Sequence, residues 1–127
     1  MKIEDDKGNE MSVRQAREGD KVTEPFEATL DEGGKVVLKW VSAGKIKGFN
    51  VQRLDSKGKK PVKVNTIPMP FFASQSGDKG LLYTFRDNGV TENSVYEYKI
   101  ETISHDGFVN ESKPVEISTK KLPSPKQ

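Results

Sequence analysis

The chain has no cysteine and a single histidine among its 127 residues. That excludes a disulfide framework, a thiol nucleophile and the common zinc ligand sets. It leaves the redox compartment open, because a cysteine-free domain suits either side of a membrane. Long hydrophobic runs are missing as well. No stretch approaches the roughly 18 uncharged apolar residues that a membrane span requires, and the hydrophobic share is only 32%. The opening residues, MKIEDDKGNE, carry acids where a signal peptide has its apolar region, so the chain reads either as cytoplasmic or as a processed form. An excess of one charge is also lacking. The 21 basic and 19 acidic residues leave a net charge of +2, which matches neither a self-repelling tail nor a uniformly basic nucleic-acid binder.

Three segments are expected. Residues 1–24 hold five basic and seven acidic residues with scattered Ile3, Met11, Val13 and Val22 and no sustained period. They read as an N-terminal extension with one strand-like stretch, or with a short helix around Ser12 to Glu18. Residues 25–119 form the domain. From Phe26 onward, short alternating runs rich in Val, Ile, Tyr and Phe are separated by Gly, Asp, Asn, Ser and Pro every ten residues or so, the pattern of an all-β sandwich. Seven strands are expected: Phe26 to Leu30, Lys35 to Val41, Phe49 to Leu54, Pro61 to Asn65, Leu81 to Asp87, Val95 to Ile103 and Pro114 to Thr119. Residues 120–127, with Pro123 and Pro125, read as a tail or linker.

Alternation assigns each run an inner face. Phe26, Ala28 and Leu30 share one; so do Val36, Leu38 and Trp40; then Phe49 with Val51; Leu81, Tyr83 and Phe85; Tyr96, Tyr98 and Ile100; Val115 and Ile117. Lys39, Asn50, Gln52, Glu97, Lys99, Glu101 and Glu116 fall opposite. Asp31-Glu32-Gly33-Gly34, Asp55-Ser56-Lys57-Gly58 and His105-Asp106-Gly107 carry turn chemistry. Thr66 to Gly80 is a long connection without an expected strand.

Several of these runs, in order, resemble a fibronectin type III domain over roughly residues 25–119. Val36-Val37-Leu38-Lys39-Trp40 is similar to the family's second strand with its buried tryptophan, and Gly48 to Arg53 to its third. Val90-Thr91-Glu92-Asn93-Ser94-Val95-Tyr96 has the spacing of L-x-P-G-T-x-Y, with Glu92 and Asn93 where the family has proline and glycine. The resemblance places Tyr96 at a tyrosine corner, its hydroxyl bonded to the backbone a few residues upstream. Tyr83 to Asp87 with Tyr96 to Lys99 is similar to modules appended to bacterial surface and secreted proteins. The fold it implies is a seven-stranded, immunoglobulin-like antiparallel sandwich of a three-strand and a four-strand sheet. No Arg-Gly-Asp tripeptide stands in the final hairpin.

Residues that carry chemistry are sparse. His105 beside Asp106 reads as a solvated turn. Ala73-Ser74-Gln75-Ser76-Gly77 lacks the first glycine of a nucleophile elbow, and Asp5 to Glu10 lacks the spacing of a calcium loop. Glu97 and Glu101 read as a solvated strand face. Two features remain. Lys35 to Lys63 contains nine basic residues and one acid, Asp55, whereas Asp87 to Glu116 contains seven acids against Lys99 and Lys113. This reads as cross-strand attraction, or as an anion-binding patch of Lys45, Lys47, Arg53, Lys57, Lys59, Lys60 and Lys63. Thr66 to Ser76 has no charge and two prolines that keep it off a central strand. It caps the open edge of the core, or exposes Met69, Phe71 and Phe72 to a partner.

The expected function is a noncatalytic binding or spacer module. It would mediate protein-protein contact in an extracellular, cell-surface or periplasmic assembly, with no cofactor and no membrane span, and with a protein or neighbouring domain as partner. The other reading is an accessory domain of a secreted hydrolase that binds carbohydrate or a polyanion such as an anionic glycan. Nucleic acid is not expected.

Overall fold

The computed structural model describes residues 2–4, 7–20, 22, 24–42, 46–55, 62–64, 80–104 and 106–119. Among them the chain is all-β, with ten strands: β1 Lys2–Glu4, β2 Glu10–Gln15, β3 Glu27–Leu30, β4 Val36–Ser42, β5 Ile46–Leu54, β6 Val62–Lys63, β7 Leu81–Asp87, β8 Val95–Ser104, β9 Val109–Glu111 and β10 Val115–Ser118. The first sheet has the order β1-β2-β7-β4-β3; the second runs β10-β8-β5-β6, with β9 also on β8. All pairings are antiparallel.

Strands β9 and β10 follow one another along the same edge of β8. Glu111 lies opposite Glu101 and Val115 opposite Tyr98, so the edge gains one residue between them. Ser112 manages the break: its N–H donates to the Ile100 carbonyl, and its hydroxyl accepts the Ile100 N–H, each at 2.9 Å. Pro114, which has no N–H to donate, is tolerated at such a bulged edge. Counting β9 and β10 as one interrupted strand gives nine strand positions rather than seven.

The two additional positions come from the segment read as an extension. Glu10 to Gln15 pair residue by residue with β7, on the side away from β4. Met11 and Val13 alternate into the core, while Ser12 and Arg14 face out. Two apolar residues at period two were too few to stand out in a charged segment. Asn9 seals the junction: its amide donates to the Val64 carbonyl at 3.0 Å, and its carbonyl oxygen accepts the Asn88 N–H at 2.7 Å. Gly8, at φ +84, lies so close to Asn88 that a Cβ there would sit 2.7 Å from its amide nitrogen. Only glycine satisfies both demands.

The inner faces match the alternation with one exception. Phe26, Val36, Leu38, Trp40, Phe49, Val51, Leu81, Tyr83, Phe85, Tyr96, Tyr98 and Ile100 are buried, and Ala28, Val115 and Ile117 pack against them. Leu30 is 39% exposed, because it stands at the end of an edge strand where the turn begins. Trp40, Tyr83 and Phe49 form the aromatic centre, with Trp40 stacked on Tyr83 and both meeting Phe49 edge-on.

The turns also follow their chemistry. Asp31 accepts the N–H groups of Gly33 and Lys35, and Gly34 takes φ +79. Asn93 has φ 58, a left-handed conformation that asparagine tolerates better than most side chains. That explains how it can stand where the resemblance has glycine. The turn residues Ser56 to Gly58 and the connection from Asn65 to Lys79 lie outside the described residues.

Two outcomes follow. Met11→Ala should lower the unfolding free energy by about 2–5 kcal/mol in a urea melt; an unchanged midpoint would place β2 outside the core. The Asp31 carboxyl is pushed up by burial, but Arg86 and the N–H groups of Lys35 and Gly33 hold it below its ordinary value on balance. Its contribution is therefore complete above roughly pH 4 and is lost as pH falls through the lower folded value. Asp31→Asn should flatten the acid limb of the stability curve.

Candidate functional site

Alternation along β5 puts Arg53 on the face of Phe49 and Val51, and alternation along β7 puts Asp87 on the face of Tyr83 and Phe85. Both sequences therefore drive a charge inward. In the structure the two meet across the sandwich: Arg53 Nη1 donates to Asp87 Oδ2 at 2.8 Å, and the Tyr98 hydroxyl donates to the same oxygen at 2.7 Å. The second carboxylate oxygen accepts the Gly89 N–H at 2.9 Å. Asp55 takes the Nε side of the guanidinium, whose carbon also lies 5.4 Å from the centre of the Tyr96 ring. Tyr96 in turn forms the expected corner, its hydroxyl accepting the Thr91 N–H at 2.9 Å.

Asp87 is 1% exposed and Tyr98 fully buried. Burial works against the charge on Arg53, but its bonds to Asp55 and Asp87 outweigh that and hold its proton more tightly than usual. Burial and then the Asp87 charge push the Tyr98 hydroxyl well above its ordinary range. A general acid or base needs access and a proton that moves near neutral pH. Arg53 and Tyr98 meet neither condition, and the cluster's chemistry is that of a structural tie between the sheets.

Arg53 is thus already bound to two carboxylates. Of the other residues expected to bind anions, Lys63 is exposed on β6 and Lys47 lies in β5, its side chain outside the described residues. Lys45, Lys57, Lys59 and Lys60 also lie outside them, as do Met69, Phe71, Phe72 and His105. The residues that flank the connection carrying Met69 to Phe72 are Val64, whose carbonyl accepts from Asn9 just before β2, and Gly80, whose carbonyl accepts the Ala16 N–H just after β2.

The third and sixth expected strands, β5 and β8, are antiparallel neighbours. Among the described residues, Glu101 accepts from Asn50 at 3.0 Å and from Gln52 at 3.1 Å across this pair. Lys99 faces Glu111 at 3.7 Å instead.

Two surface features were not anticipated. The tip of the β8–β9 hairpin exposes Phe108 at 69% and Val109 at 53%, beside Ile103, which pairs with Val109. An apolar pair directly after the turn glycine was the available signal. A cleft of about 220 Å³ opens between the sheets, with Trp40 and Phe49 among its walls and Asn110 and Ser112 on the opposite side. It falls short of the roughly 300–1,000 Å³ typical of small-molecule sites. Among the described residues no cluster of His, Asp or Glu is placed to hold a metal ion, and no helix is long and apolar enough to cross a membrane.

Replacing Tyr98 with Phe removes a hydrogen bond to a buried charge and should cost about 1.5–3 kcal/mol. Tyr96→Phe loses a bond to a neutral N–H and should cost about 0.5–1.5 kcal/mol. Parallel urea melts check the order; equal losses would contradict the distinction between the two hydroxyls.

No family model and no curated protein sequence matches the chain. Its structure is similar to the crystal structure of a Fn3-like protein from Clostridium thermocellum. The TM-score is 0.50 at 21% identity, over 80% of this chain and 92% of that one. The fold is accordingly a fibronectin type III-like antiparallel sandwich.

Proposed function

We propose that this chain is a noncatalytic binding or spacer module mediating protein-protein contact in an extracytoplasmic or cell-surface assembly. The observation that carries the reading is the Arg53–Asp87–Tyr98 cluster. Its charged and hydrogen-bonding groups are spent on one another, and they tie the two sheets together. A rigid sandwich of this kind presents loops and edges for recognition.

The contact assigned first is Met69, Phe71 and Phe72, in the uncharged run between Val64 and Gly80. Supporting it is the anchoring of both ends of that connection beside β2, one at Asn9 and one at Ala16. The basic segment from Lys45 to Lys63 is the second contact. Carbohydrate binding by a row of rings finds no support, because Trp40, Tyr83, Tyr96 and Tyr98 are all buried. The extracytoplasmic setting rests on the similarity of the Tyr83 to Lys99 sequence to bacterial surface and secreted modules.

A double replacement, Phe71→Ser with Phe72→Ser, should weaken capture of the native partner by at least about tenfold, since aromatic anchors usually carry more than about 1 kcal/mol each. The thermal melt should be unchanged. A chain that no longer folds would show these rings to be core and end the assignment.

A further inference from the structure

The edge of β7 differs from the other sheet margins. Among the described residues the strands that end the sheets are short, with three residues in β1, four each in β3 and β10 and two in β6. Short margins are a usual protection against pairing with another chain. β7 has seven residues and lies inside its sheet only because β2 pairs with it from Leu81 to Arg86. A seven-residue bare edge beside two empty core positions would be a strong acceptor for any strand with apolar residues at alternate positions.

What fills that place comes from the start of the chain. Three features fasten it: the six-residue register, the buried side chains of Met11 and Val13, and the Asn9 amide bridging Val64 and Asn88. None of them depends on which copy of the chain supplies the hairpin. The tether is residues 17–25, between Ala16, bonded to Gly80, and Phe26, buried in the core. From β2 to β3 it crosses three strand spacings, about 15 Å at ~4.8 Å each, whereas nine extended residues reach roughly 30 Å. The tether is thus longer than its own span requires.

We propose that the β7 edge is a strand-acceptor site and that the β1–β2 hairpin of one copy docks on β7 of a second copy, so that chains are linked by exchanged N-terminal hairpins. The proposal rests on the reading of the chain as an assembly module and names a second copy as its partner. Because the bonds are the same within and between copies, the balance is set by concentration. A short tether holds the hairpin at an effective concentration on the order of millimolar. Dilute chains stay closed, and copies packed side by side exchange. A reciprocal exchange gives a closed dimer, and a one-way exchange gives an open row.

The absence of cysteine makes the test clean. Ser12 and Thr84 lie directly opposite each other in the register and both face outward. Chains carrying Ser12→Cys alone and Thr84→Cys alone are mixed and oxidised at about 1 mM, the order of the tether's effective concentration. The expected product is a disulfide-linked heterodimer, several-fold above that formed when Ser12→Cys is mixed with Thr29→Cys on the far edge strand. A yield no higher than that of the off-register pair overturns the proposal. Such a result leaves the module reading standing, since that reading is tested through Phe71 and Phe72. Loss of partner capture there would leave exchange untouched.

Discussion

Asp87 stands at the last position of β7, on the face it shares with Tyr83 and Phe85, and its carboxylate is held from the opposite sheet by Arg53 and Tyr98. A buried carboxylate is costly unless it is paired and hydrogen-bonded. Here each oxygen has at least one donor, drawn from β5, β8 and the turn at Gly89. A slip of one residue in β7 would turn Asp87 outward and leave Arg53 and Tyr98 without their acceptor. The interaction therefore constrains the register of three strands at once. Replacing a buried pair by apolar residues is often neutral, so the cluster is better understood as setting which packing is adopted than as adding stability.

With the registers set, the sheets divide the remaining work. The second sheet turns Asn50, Gln52 and Glu101 to solvent and joins them by amide-to-carboxylate bonds. The first sheet uses β2 to complete β7. At one end of the sandwich Thr119 closes the turn of Tyr96 by bonding Thr91 and Ser94. At the other, the β8–β9 hairpin turns at Gly107, which has φ +96, and leaves Phe108 in solvent. The same scaffold thus combines a closed interior with an exposed apolar hairpin tip.

Much of this architecture was readable before any coordinates. The core positions of β4, β7 and β8 follow from period-two alternation of large apolar residues, and the Asp31 and Gly107 turns from residues that favour them. The corner at Tyr96 came through resemblance, and Asn93 kept it by tolerating the conformation that glycine would take. The N-terminal hairpin was not legible, because Met11 and Val13 bury against residues some seventy positions later in the chain and no local pattern announces such a partner. Arg53 was legible in principle. Its place two residues after Val51 puts it on the inner face, yet it is the one arginine among the basic residues from Lys35 to Lys63, and by charge alone it reads as one of their patch. The candidate contacts Met69, Phe71 and Phe72 rest on sequence because they fall outside the described residues.

The central claim is that Arg53 and Asp87 act as one unit across the sandwich. A double-mutant cycle with Arg53→Leu and Asp87→Leu measures this directly. Arg53→Leu leaves the buried Asp87 carboxylate without a counter-charge and should cost about 3–5 kcal/mol; Asp87→Leu should cost less, because Asp55 still holds the guanidinium. The double replacement removes both charges and should be no less stable than the weaker single variant. Losses that simply add, to within about 0.5 kcal/mol, would show two independent side chains and contradict the account.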